Sequence, residues 1–280
     1  MKKIILIMII LSVLIAGTVL ARGQQEGTEA ASYSMGGSTT LEPIIRSAIE
    51  AYEEVESNIR LSYEAQGSSV GVQGAIDGVY LIGGSSRELK AQEVEAGAVA
   101  TPIALDGIAV VANGSVLIDN LTRAQITGIY TGGITNWAEV GGADKAIVIV
   151  NRDEASGTRV AFWELTLKEE LGKEAKFLKN AITVESNGDM VTKVGSTPDS
   201  IGFCGFGYID KAVSSGGKTL LVEGIEATVE NVLDSSYPIS RKLNVITLGQ
   251  PEGFAKTFIK FLLSDEGQTI VEDEKFIALP

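Results

Sequence analysis

The residues best placed to do chemistry lie in Asn151-Arg152-Asp153-Glu154-Ala155-Ser156-Gly157-Thr158-Arg159, between the apolar run Ala146 to Val150 and Val160-Ala161-Phe162-Trp163. Read as strand, tight loop and helix start, the segment aims a guanidinium, two hydroxyls and the free amides of a helix N-terminus at one point. Such a point binds an oxyanion without a metal, because a helix N-terminus carries about half a positive charge and its first N–H groups have no intrahelical acceptor. Gly157 lets the backbone approach closely, and Arg152 offers a planar pair of donors. The pattern calls for neither a metal nor a cofactor.

Two further segments repeat the design. Met35-Gly36-Gly37-Ser38-Thr39-Thr40-Leu41-Glu42-Pro43 precedes Ile44, Ile45, Ala48, Ile49, Tyr52 and Val55, an apolar spacing that predicts a helix with Ser38 or Thr39 as its cap or as a ligand. Ile59-Arg60-Leu61-Ser62-Tyr63 alternates as a strand and feeds Gln66-Gly67-Ser68-Ser69-Val70-Gly71, a second Gly-Ser loop before a helix. A Ser or Thr at one helix start is ordinarily a cap. Three such loops in one chain, one of them with an Arg, point to a shared anion site.

On these residues the chain resembles the substrate-binding proteins of phosphate-specific ABC transporters, in their short bacterial form. The resemblance runs from about 33 to 280. It rests on Gly37 to Thr40, Gly67 to Ser69, Gly84-Ser85-Ser86-Arg87-Glu88-Leu89, Leu105-Asp106-Gly107-Ile108-Ala109-Val110, Ile129 to Trp137, the Arg152 to Thr158 loop, Ile201-Gly202-Phe203 and Gly207-Tyr208. It implies an α/β fold of two lobes, the type II-like periplasmic binding protein, with a hinge of two crossing strands and the ligand in the cleft between them. The implied first lobe is discontinuous, 33–106 with 236–280, and the second is 107–235. Residue by residue it implies phosphate contacts from Thr39, the amide of Thr40, Ser68, Arg152, Ser156, Gly157 and Thr158. Ser38 would support them, and Asp153 or Glu154 would pair with the Arg and orient it. The implied partners are inorganic phosphate and ABC permease subunits, for a monomer without a cofactor.

One position departs from that pattern. Where many family members have an Asp that accepts the proton of hydrogen phosphate, this chain has Ser86. A protonated oxyanion is distinguished from a fully ionised one by an acceptor, since a carboxylate repels the latter. Asp106 is the candidate replacement if the chain crosses between lobes there, and Asp106-Gly107 is otherwise a surface turn. Arg87 reads either as a second cationic ligand or as the solvated start of a helix over Glu88-Leu89-Lys90.

The elements that must position these loops are short apolar strands alternating with helical stretches. Strands are expected over 99–103, 107–112 and 146–150, and helices around 122–130, from 158 to 171, and over 253–263 with a fresh start at Ser264. Trp137 and Trp163 read as packing residues, and Cys204 as a small core residue, since a single Cys has no intramolecular partner.

The N-terminus sets the compartment. Lys2-Lys3 precede an apolar stretch from Ile4 to Leu20 that ends at Ala21, the pattern of a cleaved secretory signal, with a short uncleaved anchor as the alternative. The following residues are Arg22-Gly23, with no Cys to carry a lipid, and 22–32 reads as a polar tether. An extracytoplasmic location follows. The formal net charge of −13 makes nucleic acid an improbable partner.

The 280 residues contain no His, which removes Ser-His triads, Cys-His pairs and the commonest zinc ligands, and no P-loop motif occurs. The chain is expected to be a binding protein and not an enzyme, capturing inorganic phosphate for uptake. A different oxyanion such as sulfate or molybdate, and a sensor or adhesin without a transport role, stay open as alternatives.

Overall fold

The computed structural model describes residues 30–280. The proposed signal and most of the proposed tether lie outside the described residues. Ten strands and eleven helices follow in the order β1 (Ala31–Gly37), α1 (Glu42–Val55), β2 (Ile59–Glu64), α2 (Ser68–Ile76), β3 (Ile82–Ser85), α3 (Ala91–Glu95), β4 (Ala98–Asn113), β5 (Asn120–Leu121), α4 (Arg123–Thr131), β6 (Val148–Arg152), α5 (Gly157–Leu165), α6 (Leu167–Leu171), β7 (Ile182–Val184), α7 (Asn187–Ser196), β8 (Ser200–Gly205), α8 (Ile209–Ser214), β9 (Gly217–Val222), α9 (Val229–Leu233), β10 (Ser240–Leu248), α10 (Gly253–Leu262) and α11 (Asp265–Asp273).

The strands pair in the order β2-β1-β3-β10-β4-β8-β6-β7, with β9 on β4 and β5. β1 runs parallel to β2 and β3, so α1 and α2 are crossover helices and the loops entering both lie at the same, C-terminal end of the strands. β6 runs parallel to β7 and β8, which places the start of α5 at the C-terminal edge of the other parallel set. The three Gly-hydroxyl loops converge for this reason.

Apolar residues form two main cores. One gathers Met35, Leu41, Ile44, Ile45, Ile103, Leu243 and Phe258. The other gathers Ile108 to Ala112, Tyr130, Phe162, Phe203 and Tyr237, with the Phe162 and Phe203 rings stacked at 4.1 Å between centroids. The boundary runs through the middle of β4, whose first half pairs with β10 and whose second half pairs with β8 and β9. The strands expected at 99–103 and 107–112 are thus one continuous 16-residue strand.

Two other expectations change, and a third holds. Ala31 and Ser32, read as tether, are strand residues opposite Ile59 and Arg60, because ladder pairing uses the backbone and needs no apolar side chain. The helix expected from 158 to 171 breaks at Thr166, whose φ of −126° and ψ of −82° leave the helical region and whose hydroxyl bonds back to the Phe162 carbonyl. The fresh start expected at Ser264 is present: Ser264 accepts the Gly267 amide as the N-cap of α11, so α10 and α11 are separate helices.

Candidate oxyanion site

The first loop turns at Gly37, whose φ of +138° and closeness to the Gly84 carbonyl admit no side chain. Ser38, Thr39 and Thr40 follow, all buried. Ser38 Oγ accepts the Thr40 amide at 3.1 Å and donates to Ser86 Oγ at 2.9 Å. The N-cap of α1 is Leu41, without a side-chain bond, and Pro43 stands in its first turn, so neither Ser38 nor Thr39 caps the helix. The Thr40 amide, expected to face the ligand, is engaged by Ser38; its Oγ1 faces the cluster instead. In the second loop Ser68 is fully buried at the start of α2, accepts the Ser86 amide at 3.0 Å and lies 3.2 Å from Ser86 Oγ.

The third loop carries Arg152 at the end of β6 and the start of α5. Ser156 caps that helix by accepting the Arg159 amide at 3.1 Å. The amides of Gly157 and Thr158 open the helix and have no acceptor within it. A Cβ on Gly157 would meet Ser68 Oγ at 2.1 Å and Ser86 Oγ at 2.8 Å, so the third loop presses directly against the second. Thr158 Oγ1 lies 3.0 Å from Thr40 Oγ1, and the Ser69 amide donates to the Ala155 carbonyl at 3.1 Å.

Arg152 is 2% exposed. Its Nη2 donates to Thr39 Oγ1 at 3.2 Å and to the Glu185 carbonyl at 2.7 Å, while Nε and Nη1 are buried without a partner. Burial draws its pKa down to about 10, against the opposing charge of Asp153. The expected ion pair is not formed: Asp153 accepts the Ser156 amide at 3.0 Å, Glu154 is exposed, and no salt bridge to Arg152 occurs among the described residues. A carbonyl of the neighbouring strand connection orients the guanidinium instead. The cluster therefore presents many donors around one cation whose charge has no protein counterion.

A family model described as the PBP superfamily domain matches residues 22–266. The chain is 36% identical to the phosphate-binding protein PstS of Borreliella burgdorferi over 282 residues, covering 100% of this chain and 99% of the relative. It belongs to that family. A Clostridium perfringens structure described as a phosphate ABC transporter substrate-binding protein with bound phosphate superposes with a TM-score of 0.82 at 37% identity, covering 89% of this chain and 100% of that one. An ABC-type phosphate transport receptor from Vibrio cholerae gives 0.73 at 30% identity, with the same coverages. The architecture is the two-lobed fold of these relatives, with β4 and the segment entering β10 crossing between the lobes.

Within this family member, Thr39, Thr40, Ser68, Ser86, Arg152, Ser156, Gly157 and Thr158 come together in one buried cluster across both lobes. Asp106 is fully buried in mid-strand and forms no surface turn. Its carboxylate is also not free to accept a ligand proton, since Oδ2 takes Nε and Nη2 of Arg241 at 2.9 and 2.7 Å and Oδ1 takes the Phe206 amide at 2.9 Å. Burial pushes Asp106 up and Arg241 down, and their mutual attraction opposes both shifts. A guanidinium keeps its proton at neutral pH, and its two donors together with the Phe206 amide favour the carboxylate form of Asp106. Arg87 is neither a cluster cation nor a solvated helix start: it is buried and forked onto Glu93 at 2.8 and 2.7 Å, and α3 begins only at Ala91.

Three site residues escaped the sequence reading. Asn187 donates to Thr39 Oγ1 at 3.1 Å and Thr40 Oγ1 at 3.0 Å and accepts the Gly205 amide, joining the lobes. Its signal was present, because Ser186 in Ser186-Asn187-Gly188-Asp189 reads as a helix N-cap, and it accepts the Asp189 amide in that role. Tyr208 donates to the Thr39 carbonyl at 2.8 Å. Arg241 has no local motif; it faces Asp106 through the register of β10 on β4.

Proposed function

We propose that this protein captures inorganic phosphate outside the cytoplasm and delivers it to the permease of an ABC transporter. The observation that carries the reading is the pair of buried, unpartnered donors on Arg152, Nε and Nη1, in a cluster of hydroxyls and helix-terminal amides. A buried cation without a counterion is costly, and a tetrahedral oxyanion supplies the missing charge and acceptors together. Phosphate capture by relatives that match nearly the whole chain supports the same ligand here.

Thr39, Thr40, Ser68, Ser86, Arg152, Ser156, Gly157 and Thr158 hold the anion, with Asn187 fixing the two threonines. The lobes, 33–106 with 236–280 and 107–235, close over it by a hinge at Asp106-Gly107 and the segment before Ser240. Closure buries the anion among donors from both lobes, and the closed form is what the permease recognises. The chain acts as an exported monomer, and no turnover occurs: the Ser156 hydroxyl caps α5 and the sequence holds no imidazole to activate it. Among the described residues no helix is long and apolar enough to cross a membrane.

Titration calorimetry of the phosphate-stripped protein with phosphate tests the reading. One tight site per chain is expected, and an absence of heat at millimolar phosphate overturns it.

A further inference from the structure

Asp106 is the only acidic side chain fully buried among the described residues, and it lies at the cluster, within 3.0 Å of where a Cβ on Gly205 would stand beside the Thr40 methyl. Facing it, Arg241 reaches three groups: the Asp106 carboxylate, the Ser86 carbonyl at 3.0 Å and Thr40 Oγ1 at 3.3 Å. Both side chains are almost entirely buried, at 5% and 0% exposure. The Arg241 guanidinium thus stands between the carboxylate and two residues of the oxyanion cluster.

The remaining polar groups differ in kind from a carboxylate. Ser38, Ser86 and Ser68 form a chain of hydroxyls, Ser38 Oγ to Ser86 Oγ at 2.9 Å and Ser86 Oγ to Ser68 Oγ at 3.2 Å. A hydroxyl both donates and accepts, so this chain can receive a proton from a ligand or offer one to it. A bare carboxylate only accepts, and it repels a ligand oxygen that brings no proton.

We propose that Arg241, held by Asp106, is a specificity-determining residue: it neutralises the one buried carboxylate of the cleft, so that the site accepts fully deprotonated tetrahedral oxyanions as well as hydrogen phosphate. The inference rests on the reading that this cluster is the phosphate site. It assigns the choice among anions to a charge balance of Arg152, Arg241 and Asp106, net positive, and not to a proton on the ligand. A pair that served only to tie β10 to β4 would leave that choice untouched.

The test is titration of the phosphate-stripped protein with phosphate and, separately, with sulfate, for the parent, Arg241→Met, and the double variant Asp106→Asn with Arg241→Met. In the parent, the two dissociation constants should lie within about a hundredfold of each other, since no unneutralised acid excludes sulfate. Arg241→Met bares the carboxylate and should raise the preference for phosphate by about tenfold or more. The double variant removes both charges and should return the ratio to within about threefold of the parent. Phosphate binding by a parent that ignores millimolar sulfate overturns the inference. So does an Arg241→Met variant that weakens both anions equally, which would make the pair a strut. If the single variant does not fold, the double one, which leaves no uncompensated buried charge, decides: a ratio displaced by more than about tenfold overturns the proposal. A parent that binds neither anion overturns the phosphate reading itself.

Discussion

Arg87 and Arg152 are equally buried, each 2% exposed, yet their surroundings are opposite. Arg87 meets Glu93 fork to fork and also donates to the Glu88 carbonyl, so its charge is answered within the protein. Arg152 meets a hydroxyl and a carbonyl, and two of its donors face no acceptor. Burial of a cation therefore does not mark a binding site; burial without a counterion does. The first arrangement fixes a loop, and the second leaves the charge of the cation unanswered within the protein.

The widest separation between the two should come from removing each charge relation in turn. Arg152→Met is expected to weaken phosphate binding by at least about a thousandfold, roughly 4 kcal/mol, while leaving the ligand-free melting temperature unchanged or raised, because an unpaired buried cation is lost. Calorimetric titration and thermal melts without phosphate measure both halves. Micromolar binding by the variant would break the comparison.

Glu93→Ala should do the reverse. It leaves Arg87 buried and alone, so unfolding free energy should drop by about 3 kcal/mol while phosphate affinity moves by less than about threefold. The pair should also appear in the pH profile. Burial pushes the Glu93 carboxyl up, but hydrogen bonds from Arg87 and the Lys90 amide, with the Arg87 charge, hold it below its ordinary value of 4.5. A carboxyl depressed in the folded state stabilises at neutral pH, and that contribution is lost as pH falls below about 4.5. Urea melts from pH 7 to pH 3 should show this loss in the parent and a shallower one in Glu93→Gln.

What the sequence disclosed follows the range of the interactions. The loops at Ser38, Ser68 and Ser156 were legible because a strand, a Gly-hydroxyl turn and an apolar helix spacing are local patterns. Trp137 in the core and the fresh helix after Ser264 were legible for the same reason. Arg241 opposite Asp106 was not, since 135 residues separate them and only antiparallel register brings them face to face. Arg87 and Asp153 were misread through their neighbours. A charge beside a predicted helix start looks solvated, and an acid beside an Arg looks paired, until the direction of each side chain is known. Asn187 was missed despite a local signal, a Ser-capped helix start like that at Ser156.

A smaller effect is expected at Gly157, where the two lobes touch. A methyl there overlaps Ser68 Oγ in the closed cluster, so Gly157→Ala should weaken phosphate binding by about thirtyfold, near 2 kcal/mol, the scale of overpacking. The ligand-free protein, if its lobes open, has room for the methyl and gains helix propensity at the first turn of α5. Its melting temperature without phosphate should then be unchanged. An equal loss of ligand-free stability would mean that the lobes are closed before the anion arrives.

The smallest effect sharpens the contrast most. Asp153 sits next to Arg152 in sequence, yet its carboxylate accepts the Ser156 amide and helps shape the loop. Asn at this position keeps an acceptor for that amide and removes only the charge. Two electrostatic consequences follow, of opposite sign. Loss of Asp153 removes a charge that favours the protonated guanidinium, but with its pKa near 10 Arg152 stays protonated at neutral pH, so this term is silent. Loss of Asp153 also removes a negative charge close to an anion, which should tighten binding by up to about threefold, less at high salt. Asp153→Asn is thus expected to bind phosphate slightly better than the parent at low ionic strength. If it binds tenfold worse, the carboxylate orients Arg152 after all, and the difference between this arginine and the one at 87 is a difference of distance and not of kind.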